Sequence, residues 1–347
     1  MSSLDPLSGR LAEIFVESFD RITGESSDPW LRPCGPQQNF GGTVYSGSNR
    51  LVLGLLSSLR GYDLPVWVTF GQAHSKGFHV RKGERSAPVV FYDRWIREKA
   101  TGRRTDLTEE QWRLLPSAER DLYERACVLK WHSVFNICQT DFAERFPQEH
   151  SALVGSVGGG VRSGEAHPLV DSLVDEGRWL CPIEIADGSS PSYDQIADVV
   201  RMPPSESYAD RVRWYCDLFR GMAGSTGSEE RFDREIWSGD LDVVARERLV
   251  CELAAATSAV AFGMNSYLSD DSMRYLKSWS LAISSDPKVI YQAVNDAAKA
   301  SNLIVECSGL VQSKGYDLSS VLSDVESERQ RRSADEGRKR QGRTPGR

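Results

Sequence analysis

The stretch PVWVTFGQAHSKGFHVRKGERSAPVVFYDRW, residues 65–95, sets the architecture of the first half of the chain. PVWVTF is short and rich in β-branched and aromatic residues, which predicts a strand. Thr69 suits the N-cap of a short helix through FGQAHSK, and Gly77 stops it. HVRKGE predicts a turn into a second strand, APVVFYDRW. Strand, short helix, turn and strand within about thirty residues imply a mixed α+β domain.

Towards the N-terminus, Leu11, Ile14, Phe15, Phe19 and Ile22 recur at helical spacing and predict an amphipathic helix ending near Gly24. The Pro- and Gly-rich ESSDPWLRPCGPQQNFGG predicts an ordered loop carrying Trp30. A second helix is expected from Gly47 to Leu59. Towards the C-terminus, the polar segment Ala100–Arg125 predicts loop plus a short helix, and CVLKWHSVFN predicts a further strand. These elements make a first domain, residues 1–150. GSVGGGVRSGE has five glycines in eleven positions, so residues 151–165 are expected to be a flexible linker. Residues 166–310 read as mainly helical. Val212, Cys216, Phe219 and Ala223 line one helix face, Leu249, Leu253, Ala256 and Val260 a second, and Val289, Ala293 and Ala297 a third. Residues 311–347 are expected to be a basic, disordered tail. The fold class is α+β with two domains.

Composition limits the function classes. The 347 residues are 40% hydrophobic and 26% charged, as in ordinary globular domains. No run approaches the roughly 20 apolar residues of a membrane span. The start has no basic n-region before a long apolar core, so no signal peptide is expected. Seven scattered cysteines without a C-x-x-C argue against a disulfide framework or structural zinc, and fit a cytoplasmic location. The net charge of −7 hides a polarity. Residues 30–104 hold 12 Lys+Arg against 4 Asp+Glu, residues 151–328 hold 15 against 28, and residues 329–347 hold 8 against 2. A globally acidic chain can therefore still hold a polyanion locally.

In the first half, cations, aromatics and Asn/Gln are interleaved with glycines. Single-stranded DNA binding uses this mixture: cations neutralise phosphates, aromatics stack on bases, and amides reach base edges or sugars. The candidate contacts are Trp30, Tyr45, Asn49, Thr69, Gln72, Lys76, Arg81, Lys82, Arg85, Asn136 and Gln139. Arg81, Lys82, Lys76 and Arg85 are expected on one basic surface with Tyr45 and Asn49. Trp67 and Phe135 are expected in the core on adjacent strands, with Val68 and Val134 facing the other way.

Five strings recur in fixed order: Pro29-Trp30; Tyr45, Gly47 and Asn49; Trp67, Thr69, Phe70 and Gln72; Gly77 with Val80 to Glu84; and Val134, Phe135, Asn136 and Gln139. In this order they resemble the N-terminal domain of ArdC-like antirestriction proteins, found also in conjugative-plasmid primases. The resemblance implies binding of single-stranded DNA without strong sequence preference. It continues through Asp194, Ile196, Met202-Pro203, Tyr215, Arg246 to Ala256, Tyr275, Trp279, Asp286-Pro287, Ile290 and Ala293, which are similar to the zincin-like metallopeptidase domain of the same family.

A zincin needs H-E-x-x-H on a helix, with two histidines on zinc and the Glu as general base. Here FRGMAGSTG places Arg220, Gly221 and Gly224 at those positions, and no histidine follows His167. The resemblance leaves Glu252 as the remaining ligand, and one carboxylate does not make a catalytic zinc site. The second domain therefore reads as a pseudo-metallopeptidase, with no metal, cofactor or catalytic residue expected. Arg220 is expected to pair with Glu252 where zinc would sit. The expected function is that of a non-catalytic single-stranded-DNA-binding protein of a mobile element or phage, acting in DNA protection or antirestriction. Two alternatives stay open: an acidic second domain that docks a host or phage protein, and a metallopeptidase with an atypical site.

Overall fold

The computed structural model describes residues 4–22, 28–157, 165–234, 241–310, 317–323 and 327. The chain is α+β. The elements are α1 (Leu4–Asp20), β1 (Gln38–Asn39), α2 (Gly47–Arg60), β2 (Val66–Val68), α3 (Phe70–Ser75), β3 (Ala87–Glu98), α4 (Glu109–Leu114), α5 (Ser117–Arg120) and β4 (Tyr123–Asn136). There follow α6 (Phe142–Arg145), α7 (Pro147–Ser156), α8 (Pro168–Asp175), β5 (Ile183–Ile185), β6 (Ser192–Asp194), β7 (Val199–Met202), α9 (Arg211–Ser225), α10 (Leu241–Ala261), α11 (Asp270–Ser285) and α12 (Lys288–Ser308). Among the described residues, no helix is long and apolar enough to cross a membrane.

Two compact units result: Pro88–Ser133, and the rest of the chain. In the larger unit α1 packs on α11 and α12, and α2 on α10 and α12, so helices from both ends of the sequence share one apolar interior. Amphipathic helices need a partner for their apolar stripe, and those of α1 and α2 find it in the last helices. Gly61, at φ 66°, ends α2 in the left-handed conformation.

The first sheet has the order β1-β2-β4-β3. β2 and β4 run antiparallel with Trp67 opposite Asn136 and Val68 opposite Phe135. Directly opposed residues share a face. Phe135 therefore lies with Val68, not with Trp67, and is half-buried, whereas Trp67 is fully buried. This corrects the expected pairing of the two aromatics while keeping their strands adjacent. A core of Phe40, Val66, Val68, Phe78, Ile137 and Phe142 includes Leu318 and Leu322. Those two belong to residues 318–323, which are helical, so this part of the expected disordered tail is ordered by burial. Residues 324–326 and 328–347 lie outside the described residues. So does most of the Gly-rich stretch, residues 158–164, whereas 151–156 finish α7.

The second sheet, order β5-β7-β6, lies beside α9, with β7 parallel to β5 and antiparallel to β6.

Candidate functional site

Two places in the larger unit gather the sequence-predicted residues. The first surrounds α3 and the end of β4. Thr69 Oγ1 accepts the Gln72 backbone N–H at 3.2 Å, and the Gln72 side chain accepts the Thr69 N–H at 2.9 Å, closing a capping box on α3. Asn136 and Gln139 do the same for the 3-10 turn Ile137–Gln139. Asn136 is fully buried and donates from Nδ2 to the Leu64 carbonyl at 2.8 Å. Gln139, also buried, donates to Glu84 at 2.9 Å and to the Arg85 carbonyl at 3.0 Å. The amides expected to read DNA thus hold the backbone of the 81–85 turn and the strand end.

Tyr45 is buried, and burial pushes its phenol up to about 12. Trp30 packs on Phe19 and donates its indole N–H to Ser18 at 3.1 Å. The Tyr45 ring is withdrawn into the interior, whereas Trp30 is half-buried. Asn49 stands in the first turns of α2, two residues past Gly47, which faces Asn302 of α12. Of the cations, Arg81 pairs with Glu144 at 2.7 Å and donates to the Cys138 carbonyl at 2.9 Å. Lys76 donates to Ser323 at 2.8 Å. Lys82 and Arg85 are exposed on the same turn, and Arg85 edges a cleft of about 560 Å³ that reaches Arg10, Arg60, Tyr62 and Trp67. Arg81, Lys82 and Arg85 therefore lie on one exposed turn, with Lys76 half-buried at the end of α3, while Tyr45 is withdrawn into the interior.

The second place is the floor of a cleft of about 620 Å³ lined by Tyr193, Asp194, Ile196, Arg220, Gly221, Gly224, Arg248 and Cys251. α9 carries Arg220, Gly221 and Gly224; α10 carries Glu252. Arg220 Nε lies 3.0 Å from Glu252 Oε2. Neither atom has a well-aligned hydrogen bond, so the contact is an ion pair by distance rather than a directed bond. The Arg220 guanidinium also pairs with Asp217, and Ser272 donates its hydroxyl to the other Glu252 oxygen. Glu252 is 1% exposed. Burial by itself would lower the Arg220 pKa, but the Glu252 and Asp217 carboxylates outweigh it and hold the pKa above its ordinary value.

The glycines close the rest of the space. A Cβ on Gly221 would come within 2.8 Å of Val200 Cγ1, and one on Gly224 within 3.4 Å of the Tyr193 Cβ. β6 and β7 thus press on α9 at Gly221 and Gly224. At the end of α9, Arg234 donates to the Ala223 carbonyl at 3.0 Å and pairs with Glu247 of α10 at 2.6 Å. Burial pushes the Cys216 thiol up to about 11 and that of Cys251 well above its usual value, which disfavours the thiolate at both.

These residues do not fit a divalent cation. The Glu252 carboxylate is already bound to a guanidinium and a hydroxyl, Asp217 is paired with the same guanidinium, and a zinc site draws three or four donors from the protein. Among the described residues no three His, Cys, Asp or Glu side chains converge.

Sequence reasoning missed two contributions. The Asn136/Gln139 spacing of three is itself a capping-box signal, of the same form as the Thr69/Gln72 pair. The closing of β7 onto Gly221 has no sequence signal beyond the glycine.

Comparison with known proteins follows the same division. Residues 7–135 match the N-terminal domain of anti-restriction factor ArdC, and residues 180–296 match a zincin-like metallopeptidase. The uncharacterized protein y4eC of Sinorhizobium fredii is 28% identical over 264 residues, covering 75% of this chain and 77% of that protein. The DNA primase TraC of Escherichia coli is 22% identical over 322 residues, covering 86% of this chain but 27% of the primase. The chain thus spans about a quarter of that relative. The crystal structure of the antirestriction ArdC protein from the R388 plasmid, solved metal-free, shares the fold with TM-score 0.63 at 24% identity, covering 88% of this chain and 99% of that one. Its Mn(II)-bound form gives 0.62 at 23% identity and the same coverage.

Proposed function

We infer that this chain, ArdC-like in both matched domains, is a mobile-element antirestriction protein that binds single-stranded DNA and hydrolyses no peptide bond. The observation that carries the non-catalytic part is the Arg220–Glu252 pair. The ArdC protein of the R388 plasmid takes Mn(II). Here a guanidinium occupies the place of a cation, which a buried carboxylate requires. With glycines at the positions of the general base and the second histidine, nothing in the floor can hold or activate a water by the family's route.

The DNA part is supported by the match over residues 7–135 and by the loop cations Lys82 and Arg85, whose exposed charges suit phosphate. Arg81 serves the loop as much as a ligand, because it ties the turn to Cys138 and Glu144.

The test is a titration of the purified protein with labelled single-stranded and duplex oligonucleotides at two salt concentrations, alongside metal analysis. Expected are tighter binding of the single strand, affinity falling with salt, and no stoichiometric zinc or manganese. The double variant Lys82→Glu/Arg85→Glu should weaken binding equally for all sequences and lower the log–log salt slope by about 0.7 for each phosphate no longer neutralised. Absence of oligonucleotide binding, or a bound metal in 1:1 ratio, would overturn the corresponding half of this reading.

A further inference from the structure

The smaller compact unit, Pro88–Ser133, is a two-stranded ribbon of β3 and β4 whose connection carries α4 and α5. Its strands expose rings. Phe91 is 44% and Trp131 40% exposed. On one face the Phe91 ring meets His132 at 5.3 Å, edge to face, and Lys130 reaches Asp93 across the ladder at 2.7 Å. Trp95 stands four residues from Phe91 in the same strand, hence on the same face, about 13 Å away. The Arg104 guanidinium lies over its indole at 5.5 Å. Trp131 alternates to the opposite face.

Charge is segregated within the unit. The two strands and their tip, residues 88–104 and 122–133, hold seven Lys+Arg against three Asp+Glu. The intervening segment 105–121 holds two against five. Exposed rings therefore sit among a net surplus of cations, within which Asp93 pairs with Lys130 and Arg104 and Glu124 pairs with Arg97, and the larger share of the acids lies on the helical connection. Cations along a backbone path with π-faces between them are what a single strand of nucleic acid needs, whatever its sequence. A protein partner would gain from the apolar rings but would not call for the excess positive charge.

We propose that this ribbon is a stacking platform for single-stranded nucleic acid on both of its faces, with Phe91 as the base-stacking ring of one face, Trp131 as that of the other, and Lys130 and Arg104 among the phosphate-facing cations. The proposal rests on the DNA-binding reading above and relocates its aromatic component. Of the rings that the motif strings suggest, Tyr45 is buried and cannot stack on bases, and Trp30 is half-buried with its indole N–H given to Ser18.

The experiment measures anisotropy of a labelled oligothymidylate with the full chain. Phe91→Ala/Trp131→Ala should weaken binding tenfold or more with the salt slope unchanged, because stacking releases no counterions. Phe91→Tyr and Trp131→Phe, which keep the rings, should bind as the parent does. Lys130→Gln/Arg104→Gln should flatten the slope. Parent-like binding by the double alanine variant overturns the platform and leaves the DNA reading standing; the rings would then serve a protein partner. Equal loss in the ring-keeping variants also overturns it, since the effect would be structural. A parent protein that binds no oligonucleotide fails earlier and takes the DNA reading with it.

Discussion

Around Thr69 and Asn136, side chains of the kind that contact nucleic acid are spent on the protein's own backbone; around Arg220, a buried carboxylate is met by a guanidinium and the space is filled from within. In the first region Thr69, Gln72, Asn136 and Gln139 close two capping boxes, and the amides are hydrogen-bonded before any ligand arrives. In the second, an arginine, two glycines and a pressing strand occupy the floor of a cleft that stays open to solvent. The difference teaches that a motif's residue types do not reveal their employment. Satisfaction of polar groups decides it: a buried amide with all its partners inside has little left to offer a ligand, and a buried carboxylate must recruit a cation from somewhere.

The largest expected effect breaks the second region. Arg220→Ala leaves Glu252 buried with only the Ser272 hydroxyl, and should cost about 3–5 kcal/mol in denaturant titration. Arg220→Met/Glu252→Gln should recover most of that loss, because it removes both charges and keeps an acceptor for Ser272. A loss below about 1 kcal/mol for the single variant would mean that water solvates Glu252, and the contrast between the regions would collapse.

A smaller effect sharpens the first region. Asn136→Ala removes the bond to Leu64 and the cap on Cys138 N–H inside the fold, and should cost about 1–3 kcal/mol. Oligonucleotide affinity per folded molecule should stay unchanged. Loss of affinity at unchanged stability would return Asn136 to the DNA surface and place the two regions on the same footing.

Much of this is legible in the sequence. The strand and helix of residues 66–75 follow from β-branched residues, a threonine cap and a glycine stop, and the helix faces of α9 and α12 follow from their apolar spacing, whereas α10 is buried on every side from Glu252 to Ala259. The Arg220–Glu252 pair is legible only through the resemblance, which sets Arg220 at the place of the first metal histidine and Glu252 at that of the remaining ligand, on facing helices. Register is not legible, so the expectation that Trp67 and Phe135 share a face fails: adjacency of strands does not fix which residues oppose. Neither is the association of α1 and α2 with α11 and α12, because an apolar stripe shows that a helix needs a partner without naming it. α11 hides its own stripe among serines and charges. Nor can alternation show that Phe91 and Trp131 remain exposed on a two-stranded ribbon, since the same pattern serves a buried strand.

The smallest expected effect concerns His167, the last histidine of the chain, which in this half serves packing rather than a metal. Its ring lies edge-on to Phe262 at 5.1 Å, and Nδ1 has no partner among the described residues. Its backbone N–H donates to the Tyr215 hydroxyl, which donates to Asp171 and accepts from Arg211. Burial lowers the His167 pKa below 6.5; its own backbone hydrogen bond and the Asp171 charge oppose this more weakly. A depressed histidine pKa means that the unfolded chain binds the proton more readily. Stability should therefore fall as pH drops below about 6.5 and level off once the folded-state value is passed. Unfolding titrations between about pH 7.5 and 5.5 should show that decline, and His167→Gln should remove part of it. A proton NMR titration should place the His167 ring below the ordinary histidine value. A ring that titrates at or above it would be hydrated or paired, and the second region would then hold one polar group that its packing leaves available to a ligand.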